Sequence, residues 1–446
     1  MNHGLRGDRA WAWFAVLVPF FVLPLLLAGC GSSHSAANGP SATGRPSATG
    51  GPPATNGPSA SDGGLPDSGL DPTHVTVAGG QLEGDVVGGA VKFLKIPYAK
   101  PPTGALRWKA PVSSDGWTDV RHETDFASPC PQPPSQQSAQ STNEDCLYLN
   151  VWRPNSTKGG APVMVWIHGG GFTTGSAADI VPLTTNFPWY DGRVFAEHGV
   201  VLVTLNYRLG VFGFFAHPEL KGEGSPLGNQ GLLDQRFALQ WVKDNIAAFG
   251  GDPGNVTIFG QSAGAGSVCM HVASPGSRGL FHRAISESGG CTTTGATDWN
   301  AINMQIATFA SDHGCTGATT LDCLRALPAD QLVSSMYVDR TMGMAALQAS
   351  FTFGAVVDGD GGFLPKTGRE QFDSGDVAKV PYILGSTNDE ARLYYIAATV
   401  PGSESEYVST IQMQYGTFAD RVLALYPSSK FGGDYRLTMA RIASDS

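Results

Sequence analysis

The stretch Val256–Met270 constrains the fold more than any other part of this chain. A run of mostly β-branched residues leads directly into Gly-Gln-Ser-Ala-Gly at 260–264, and a segment of small residues follows. This order is typical of a strand, a sharp turn and a helix, with the hydroxyl of Ser262 exposed at the carboxyl edge of a sheet. The glycines leave room for a strained turn. Gly-x-Ser-x-Gly also arises by chance in a chain with 58 glycines, so the interpretation depends on the flanking strand and helix.

Further apolar runs predict an α/β fold with a mostly parallel sheet. Runs that are apolar on both faces indicate parallel strands covered by helices. The predicted strands are 162–169, 199–207, 256–259, 283–286 and 380–384. Between them, Gly231–Val242 has helical spacing, and 292–371 holds several helical patterns that we expect to insert beyond the sheet. The predicted fold class is therefore α/β.

The first 29 residues have the pattern of an export signal. Arg6 and Arg9 precede an apolar run from Trp11 to Ala28, and small residues stand directly before Cys30. This pattern resembles the bacterial lipoprotein signal, in which the cysteine becomes the first mature residue and carries the lipid. We therefore expect Cys30 to tether the exported protein to the outer face of a membrane. An ordinary signal peptide, which would give a secreted protein, and a membrane-spanning helix are the alternatives.

Residues 30–73 are predicted to form a disordered linker. The sequence Pro-Ser-Ala-Thr-Gly at 40–44 recurs at 46–50, and Pro, Gly, Ser, Ala and Thr dominate the segment. Such a composition cannot bury enough apolar surface to offset the entropy lost on ordering. The linker would hold the globular part, residues 74–446, away from the lipid.

The charge pattern argues against a nucleic-acid partner. The formal net charge is −10, and the chain has no Lys/Arg-rich run or basic patch. We predict no cofactor and no metal site.

Six cysteines remain once Cys30 is set aside, and an even number fits an exported protein with disulfides. Two pairs are close in sequence and flank loops: Cys130 with Cys146, and Cys315 with Cys323. The remaining two cysteines, Cys269 and Cys291, form either a third disulfide or two separate buried thiols.

The segment His168–Phe172, His-Gly-Gly-Gly-Phe, follows a predicted buried strand. A serine nucleophile needs a base to remove its proton and hydrogen-bond donors to hold the oxyanion that forms. Successive glycines let backbone N–H groups point at a ligand, as in the oxyanion loops of esterases and lipases. The N–H of Ala263, directly after the serine, would be a further donor. A plain turn is the alternative for the glycine run.

These motifs, together with others in the same order, resemble the type B carboxylesterase family, α/β-hydrolases that include the cholinesterases. The matching stretches are Ile96–Pro102, Glu144–Val151, His168–Phe172, Asn206–Gly210, Gly228–Gln235, Phe249–Pro253, the serine turn, Val356–Asp360 and Asp389–Glu390. The resemblance extends from about Val75 to the end of the chain. It implies a serine esterase that hydrolyses small-molecule carboxylic esters through an acyl-enzyme.

The resemblance also implies roles for particular residues. Ser262 would be the nucleophile, Glu390 the triad acid that orients a histidine, and Gly170, Gly171 and Ala263 the donors of the oxyanion hole. It further implies the disulfides Cys130–Cys146 and Cys315–Cys323, and the ion pairs of Arg107 with Glu144 and of Arg208 with Asp234, which we interpret as structural.

Three features depart from the family pattern. Gln261 replaces the usual Glu before the nucleophile, which weakens electrostatic support for a cationic histidine. The loop 130–146 contains no aromatic residue, whereas cholinesterases use one there to bind quaternary ammonium, so we do not expect cholinesterase activity. None of the ten histidines follows Glu390, although the family's catalytic histidine lies well downstream of the acid.

The missing histidine leads us to expect a C-terminally incomplete domain that lacks the last strand and is weakly active or inactive. The competing hypothesis is a non-catalytic, esterase-like protein that acts in surface binding or adhesion, because fold alone does not determine function. An amidase or lactone hydrolase that uses the same machinery is a third.

Overall fold

The computed structural model describes residues 71–135, 138–156, 158–178, 188–292, 299–317, 319–336, 353–396 and 398–445. The predictions for residues 1–29, Cys30 and nearly all of the linker fall outside these ranges. Within them, no helix has both the length and the apolar character needed to cross a bilayer. The described chain divides into a main unit, residues 71–400 and 439–445, and a small helical unit, Pro401–Thr438.

An eight-stranded sheet forms the centre of the main unit. The strands are β1 His74–Val77, β2 Gly80–Glu83, β3 Asp85–Val87, β4 Ala90–Pro97, β5 Arg121–His122, β6 Tyr148–Pro154, β7 Ala161–Ile167, β8 Val201–Leu205, β9 Gly251–Gln261, β10 Arg283–Glu287 and β11 Tyr382–Gly385. The order in the large sheet is β11-β10-β9-β7-β8-β6-β4-β3, and β1, β2 and β5 form a separate small sheet. The five strands from β11 to β8 are parallel, whereas β6, β4 and β3 add antiparallel pairs. The predicted α/β class with a mostly parallel sheet is confirmed.

Helices of the main unit cover both faces of this sheet. In chain order the helices of the described residues are Arg193–Glu197, Gly210–Gly213, Pro218–Gly222, Gln230–Asn245, Ala263–Ala273, Trp299–Asp312, Thr320–Ala326, Ala329–Ser334, Gly368–Ser374, Arg392–Tyr395, Glu404–Tyr415, Ala419–Leu425 and Tyr435–Asp445. All five residues of β8 are buried. Val203 packs in a core with Leu239 of the long helix, whereas Leu202 packs on the opposite face with Ala196. This two-sided burial explains why the β8 run is apolar throughout.

Within the described residues, β11 and β3 are the two edge strands of the large sheet, and β11 is the edge beside β10. The side chains of Ile383 and Leu384 there are 65% and 61% exposed. An exposed apolar edge strand can pair with another chain and therefore favours aggregation.

The small unit is held by hydrogen bonds between its own helices. Its first helix begins after Ser403, whose hydroxyl accepts the N–H of Glu406 at 3.3 Å. The hydroxyl of the buried Tyr407 donates to the carbonyl of Tyr426 at 2.6 Å. This bond joins the first helix to the end of the second.

The two ion pairs implied by the resemblance are present in the main unit. Arg208 donates to both carboxylate oxygens of Asp234 at 2.7 Å, and both side chains are almost completely buried. Burial raises the pKa of Asp234, while the charge of Arg208 and its hydrogen bonds act against that rise. Arg107 pairs with Glu144 at 2.8 Å and 2.5 Å. Both pairs join separate segments of the core, which agrees with a structural role.

The described residues contain three disulfides. They are Cys130–Cys146, Cys269–Cys291 and Cys315–Cys323. The alternative left open for Cys269 and Cys291 is thereby decided in favour of a disulfide. This bond connects the helix that follows the serine turn to the segment that follows β10.

Candidate active site

The serine turn joins β9 to the helix Ala263–Ala273, as the sequence predicts. Ser262 has φ 56° and ψ −122°, a conformation that non-glycine residues rarely adopt. Its N–H donates to the carbonyl of Glu287 at 2.9 Å, and its carbonyl accepts the N–H of Gly266 at 2.9 Å. The turn is therefore held from the neighbouring strand and from the helix that it starts.

The two glycines of the turn allow a close approach of β7. A Cβ on Gly260 would lie 2.6 Å from the carbonyl oxygen of Ile167, and one on Gly264 would lie 2.0 Å from the same oxygen. Neither distance is possible between real atoms, so a side chain at either position would push β7 away. The segment that follows β7 is consequently placed against the serine.

That segment, residues 168–175, is called the glycine loop below. Gly170, Gly171 and Phe172 all have positive φ values, 105°, 65° and 60°. A Cβ on Gly169 would lie 3.3 Å from the Cβ of Ser262, which shows how closely the loop and the serine pack. Within the described residues, the N–H groups of Gly170, Gly171 and Ala263 donate to no protein acceptor. They are thus available to a ligand.

Glu390 lies after β11 in a hydrogen-bonded turn. Its Oε2 accepts the N–H of Thr387 at 2.9 Å and the hydroxyl of Thr387 at 2.8 Å. Burial raises the pKa of Glu390, but hydrogen bonds from the Thr387 N–H, the Ser288 hydroxyl and the Thr387 hydroxyl outweigh it and hold the pKa below its ordinary value. The carboxylate is therefore ionised at neutral pH.

Ser288 connects this carboxylate to the serine turn. It directly follows Glu287, whose carbonyl accepts the N–H of Ser262, and its own N–H donates to the carbonyl of Gly385 at 2.7 Å. Its φ is 55°. Sequence analysis missed this residue, although the Ser-Gly-Gly that follows β10 is a signal for an unusual turn.

One histidine begins the glycine loop and another lies in the helix that follows Ser262, and both are buried and neutral. The ring of His168 stacks on Tyr207 at 4.3 Å, and burial lowers its pKa to about 4 despite the contact of its Nδ1 with the carbonyl of Gly169. His271 lies between the Ser277 hydroxyl at 2.9 Å and the Gln235 amide oxygen at 3.1 Å, and burial lowers its pKa to about 3. Neither ring hydrogen-bonds to the serine within the described residues.

Metal ligation has no support in the described part of the chain. There, no group of three or more His, Cys, Asp or Glu residues is arranged to hold a metal ion.

Comparisons with known proteins give a consistent result. The model of the carboxylesterase family matches residues 71–423. The para-nitrobenzyl esterase of Bacillus subtilis (strain 168) is 38% identical over 362 residues, which cover 80% of this chain and 71% of that protein. The cholinesterase of Mus musculus is 38% identical over 354 residues, 76% of this chain and 56% of the relative. The liver carboxylesterase of Sus scrofa is 42% identical over 325 residues, which cover 67% of this chain and 54% of that protein.

Solved structures agree with the sequence comparisons. A PNB esterase structure has a TM-score of 0.66 and 34% identity, and the match covers 83% of this chain and 77% of that chain. A thermophilic PNB esterase gives the same TM-score and identity. The fold is thus that of the α/β-hydrolases. The chain spans from about half to 71% of the length of these curated relatives.

Substitution of Gly264 tests the close approach of β7. Gly264→Ala should lower the free energy of unfolding by about 3 kcal/mol or more, because its Cβ would meet the Ile167 carbonyl. Gly266→Ala, in the same helix, is the matched control: the nearest atom would be 3.4 Å away, and alanine gains up to about 1 kcal/mol of helix propensity. Urea unfolding measures both. Equal destabilisation by the two substitutions would show that the approach is not a constraint.

Acid should destabilise the protein through His271. Its pKa is about 3 when folded against 6.5 ordinarily, so the unfolded state binds more protons between these values and stability falls as pH decreases through that window. His271→Gln should remove about 2 kcal/mol of the stability change between pH 6.5 and 5. The control is the exposed His122, whose hydrogen bond to Asp85 raises its pKa and gives the opposite sign. An unchanged pH slope in His271→Gln would contradict the prediction.

Proposed function

Because the chain belongs to the carboxylesterase family, we propose that its Ser262 hydrolyses carboxylic esters through an acyl-enzyme. The observation that carries this proposal is the packing of the glycine loop against the strained serine turn. This packing supports a site in which the Ser262 hydroxyl lies beside N–H groups that, within the described residues, have no protein acceptor. The ionised Glu390, linked to the turn through Ser288, adds a charge that could orient a base.

The proposed reaction has two halves. The Oγ of Ser262 attacks the ester carbonyl carbon, and a base takes the hydroxyl proton. The N–H groups of Gly170, Gly171 and Ala263 stabilise the oxyanion, the C–O bond breaks, and the alcohol leaves with the proton. Water then attacks the acyl carbon in the same way and releases the acid. Loss of one oxyanion donor typically costs about 10²–10³ in rate.

The base is the limiting part in this 446-residue polypeptide. All ten histidines precede Glu390 in the sequence. His168 in the glycine loop and His271 in the helix after Ser262 are buried and engaged with other groups. We therefore propose that the polypeptide by itself turns over slowly, with only the roughly 10³–10⁴-fold enhancement that an oxyanion hole and binding provide.

The substrate class that we propose is a small-molecule carboxylic ester. Relatives are named para-nitrobenzyl esterase, fumonisin B1 esterase and liver carboxylesterase. These names support ester hydrolysis, but they do not identify the alcohol group of the ester. One relative is a cholinesterase. Here the loop 130–146 has no aromatic residue for a quaternary ammonium, so choline esters are not proposed.

Exogenous imidazole can test the proposal, because it supplies the base in solution. With p-nitrophenyl acetate and the 446-residue polypeptide, imidazole should raise hydrolysis at least about tenfold above its own solution rate. Ser262→Ala should abolish this excess while leaving the solution rate of imidazole unchanged. Mass spectrometry should find acetyl on Ser262 when the reaction is quenched early.

The outcomes separate the hypotheses. An absent Ser262-dependent excess would contradict the esterase proposal and favour a non-catalytic surface-binding protein. Robust turnover without imidazole that Ser262→Ala abolishes would contradict the proposed lack of a base, while leaving Ser262 as the nucleophile.

We further propose that the protein is exported and lipid-anchored at Cys30. The small residues before Cys30, the apolar run and the linker composition support this, and three disulfides fit an oxidising compartment. In a bacterial host, the full chain should fractionate with membranes, and Cys30→Ala should release it or leave it with an uncleaved signal. Cys30→Ala with the same processing and membrane fraction as the wild type would contradict the anchor.

A further inference from the structure

We propose that Gln132 is a positioning residue that holds the glycine loop in the conformation that presents its N–H groups. The effect on catalysis rests on the proposed function, whereas the effect on the loop does not. The carboxamide of Gln132 makes two hydrogen bonds to one residue of the loop, Gly175. Its Nε2 donates to the Gly175 carbonyl and its Oε1 accepts the Gly175 N–H, both at 2.8 Å.

These bonds are buried. Gln132 has no exposed surface, and its Nε2 also donates to the carbonyl of Cys130 at 3.1 Å. The carboxamide offers Gly175 a donor and an acceptor together, as a neighbouring strand would. If it were removed, a backbone N–H and a carbonyl would lose these partners, and an unpaired buried polar group is destabilising.

Gly175 in turn determines the shape of the start of the loop. Its φ is 116°, and a Cβ there would lie 2.4 Å from the Nδ1 of His168 and 2.6 Å from the carbonyl oxygen of Gly169. The end of the loop thus touches its first two residues. Between them, the carbonyl of Gly170 accepts the N–H groups of Thr173 and Thr174. A displacement of Gly175 would therefore displace the segment that carries the N–H groups of Gly170 and Gly171.

Gln132 is itself held by covalent and hydrogen bonds. The disulfide Cys130–Cys146 closes its loop, and inside the loop Gln132 and Ser141 exchange two backbone hydrogen bonds, at 2.9 Å and 3.1 Å. The backbone N–H and the backbone carbonyl of Gln132 are therefore both hydrogen-bonded, which fixes the residue whose side chain binds Gly175.

Two side chains directly after β8 also contact the glycine loop and the residues that follow it. The amide oxygen of Asn206 accepts the N–H of Ala177 at 2.7 Å, and its Nδ2 donates to the carbonyl of Cys146 at 3.1 Å. The hydroxyl of Tyr207 donates to the carbonyl of His168 at 2.8 Å. Those contacts hold the two ends of the segment, whereas Gln132 holds Gly175, the point where the loop closes on itself.

Oxyanion donors must lie about 2.7–3.1 Å from the charge that develops, and a misplacement of about 1 Å can cost roughly 10²-fold in rate. The loop from Cys130 to Cys146, which holds no aromatic residue, would thus serve the reaction by fixing the donors. Loss of Gln132 should lower kcat and leave KM for a small ester nearly unchanged.

Hydrogen exchange of the full chain tests the structural part. Gln132→Ala should raise exchange of the hydrogen-bonded amides of the loop, those of Thr173, Thr174 and Gly175, by at least about tenfold relative to wild type at the same pH. Exchange in the helix Gln230–Asn245 should stay the same. The matched control is Gln230→Ala, which removes another buried glutamine that bonds to backbone, here the carbonyl of Phe215 at 3.0 Å, without contacting the loop.

Gln132→Glu makes the hydrogen bonding at this position depend on pH, which a simple loss of packing would not do. Its carboxylate can accept the Gly175 N–H but cannot donate to the Gly175 carbonyl, whereas the protonated acid can do both. Compared with wild type at the same pH, exchange in the loop of this variant should be raised at about pH 9 and unchanged at about pH 5. Loop exchange that is unchanged in Gln132→Ala, or equal in Gln230→Ala, would overturn the proposal.

Imidazole-dependent hydrolysis tests the chemical part. Gln132→Ala should lower the Ser262-dependent kcat about tenfold or more with KM changed less than about twofold, and Gln230→Ala should change neither at equal folded fraction. Raised loop exchange with unchanged kcat would overturn the positioning role. Raised loop exchange in a protein whose wild type shows no Ser262-dependent hydrolysis would uphold the effect on the loop and reject the proposed function.

Discussion

The packing of β7 against the serine turn is the constraint on which the site depends. The backbone of β7 packs directly against the backbone of the serine turn there, because the Ile167 carbonyl occupies the space that Cβ atoms of Gly260 and Gly264 would need. No side chain separates the two strands at this point, so the residue after β7 emerges beside the nucleophile. The parallel order of β7 and β9 makes this possible because their carboxyl ends meet at one edge of the sheet.

A loop that leaves such an edge carries backbone groups that the sheet no longer pairs. Buried N–H and C=O groups must find partners, and here several of the partners are side chains. Gln132, Asn206 and Tyr207 each supply a polar group to the segment 168–177. The conformation with successive positive φ values is thereby held without any regular secondary structure, and the N–H groups of Gly170 and Gly171 keep no protein acceptor among the described residues.

The sequence predicted the parts of the fold that have a local signal. The strand, turn and helix around Ser262 and the glycine loop are each encoded within a few residues. β9 begins at Gly251, earlier than the predicted Val256, because Gly251 pairs with Ala161 across a register shift although Gly-Asp-Pro-Gly has the composition of a turn. The contacts of Gln132 with Gly175 and of Ser288 with Glu390 join residues more than 40 positions apart. Such pairs depend on the path of the chain, which no local pattern contains.

The charges around the turn have opposite signs on its two sides. The helix Ala263–Ala273 begins at Ser262, so its partial positive charge lies where an oxyanion would form. Gln261, neutral where the family has Glu, leaves Glu390 to carry the negative charge that would balance a cationic base. The hydrogen bonds from Thr387 and Ser288 therefore do more than position that carboxylate. By holding its pKa low against burial, they keep the charge in place over the pH range in which an imidazole changes its protonation.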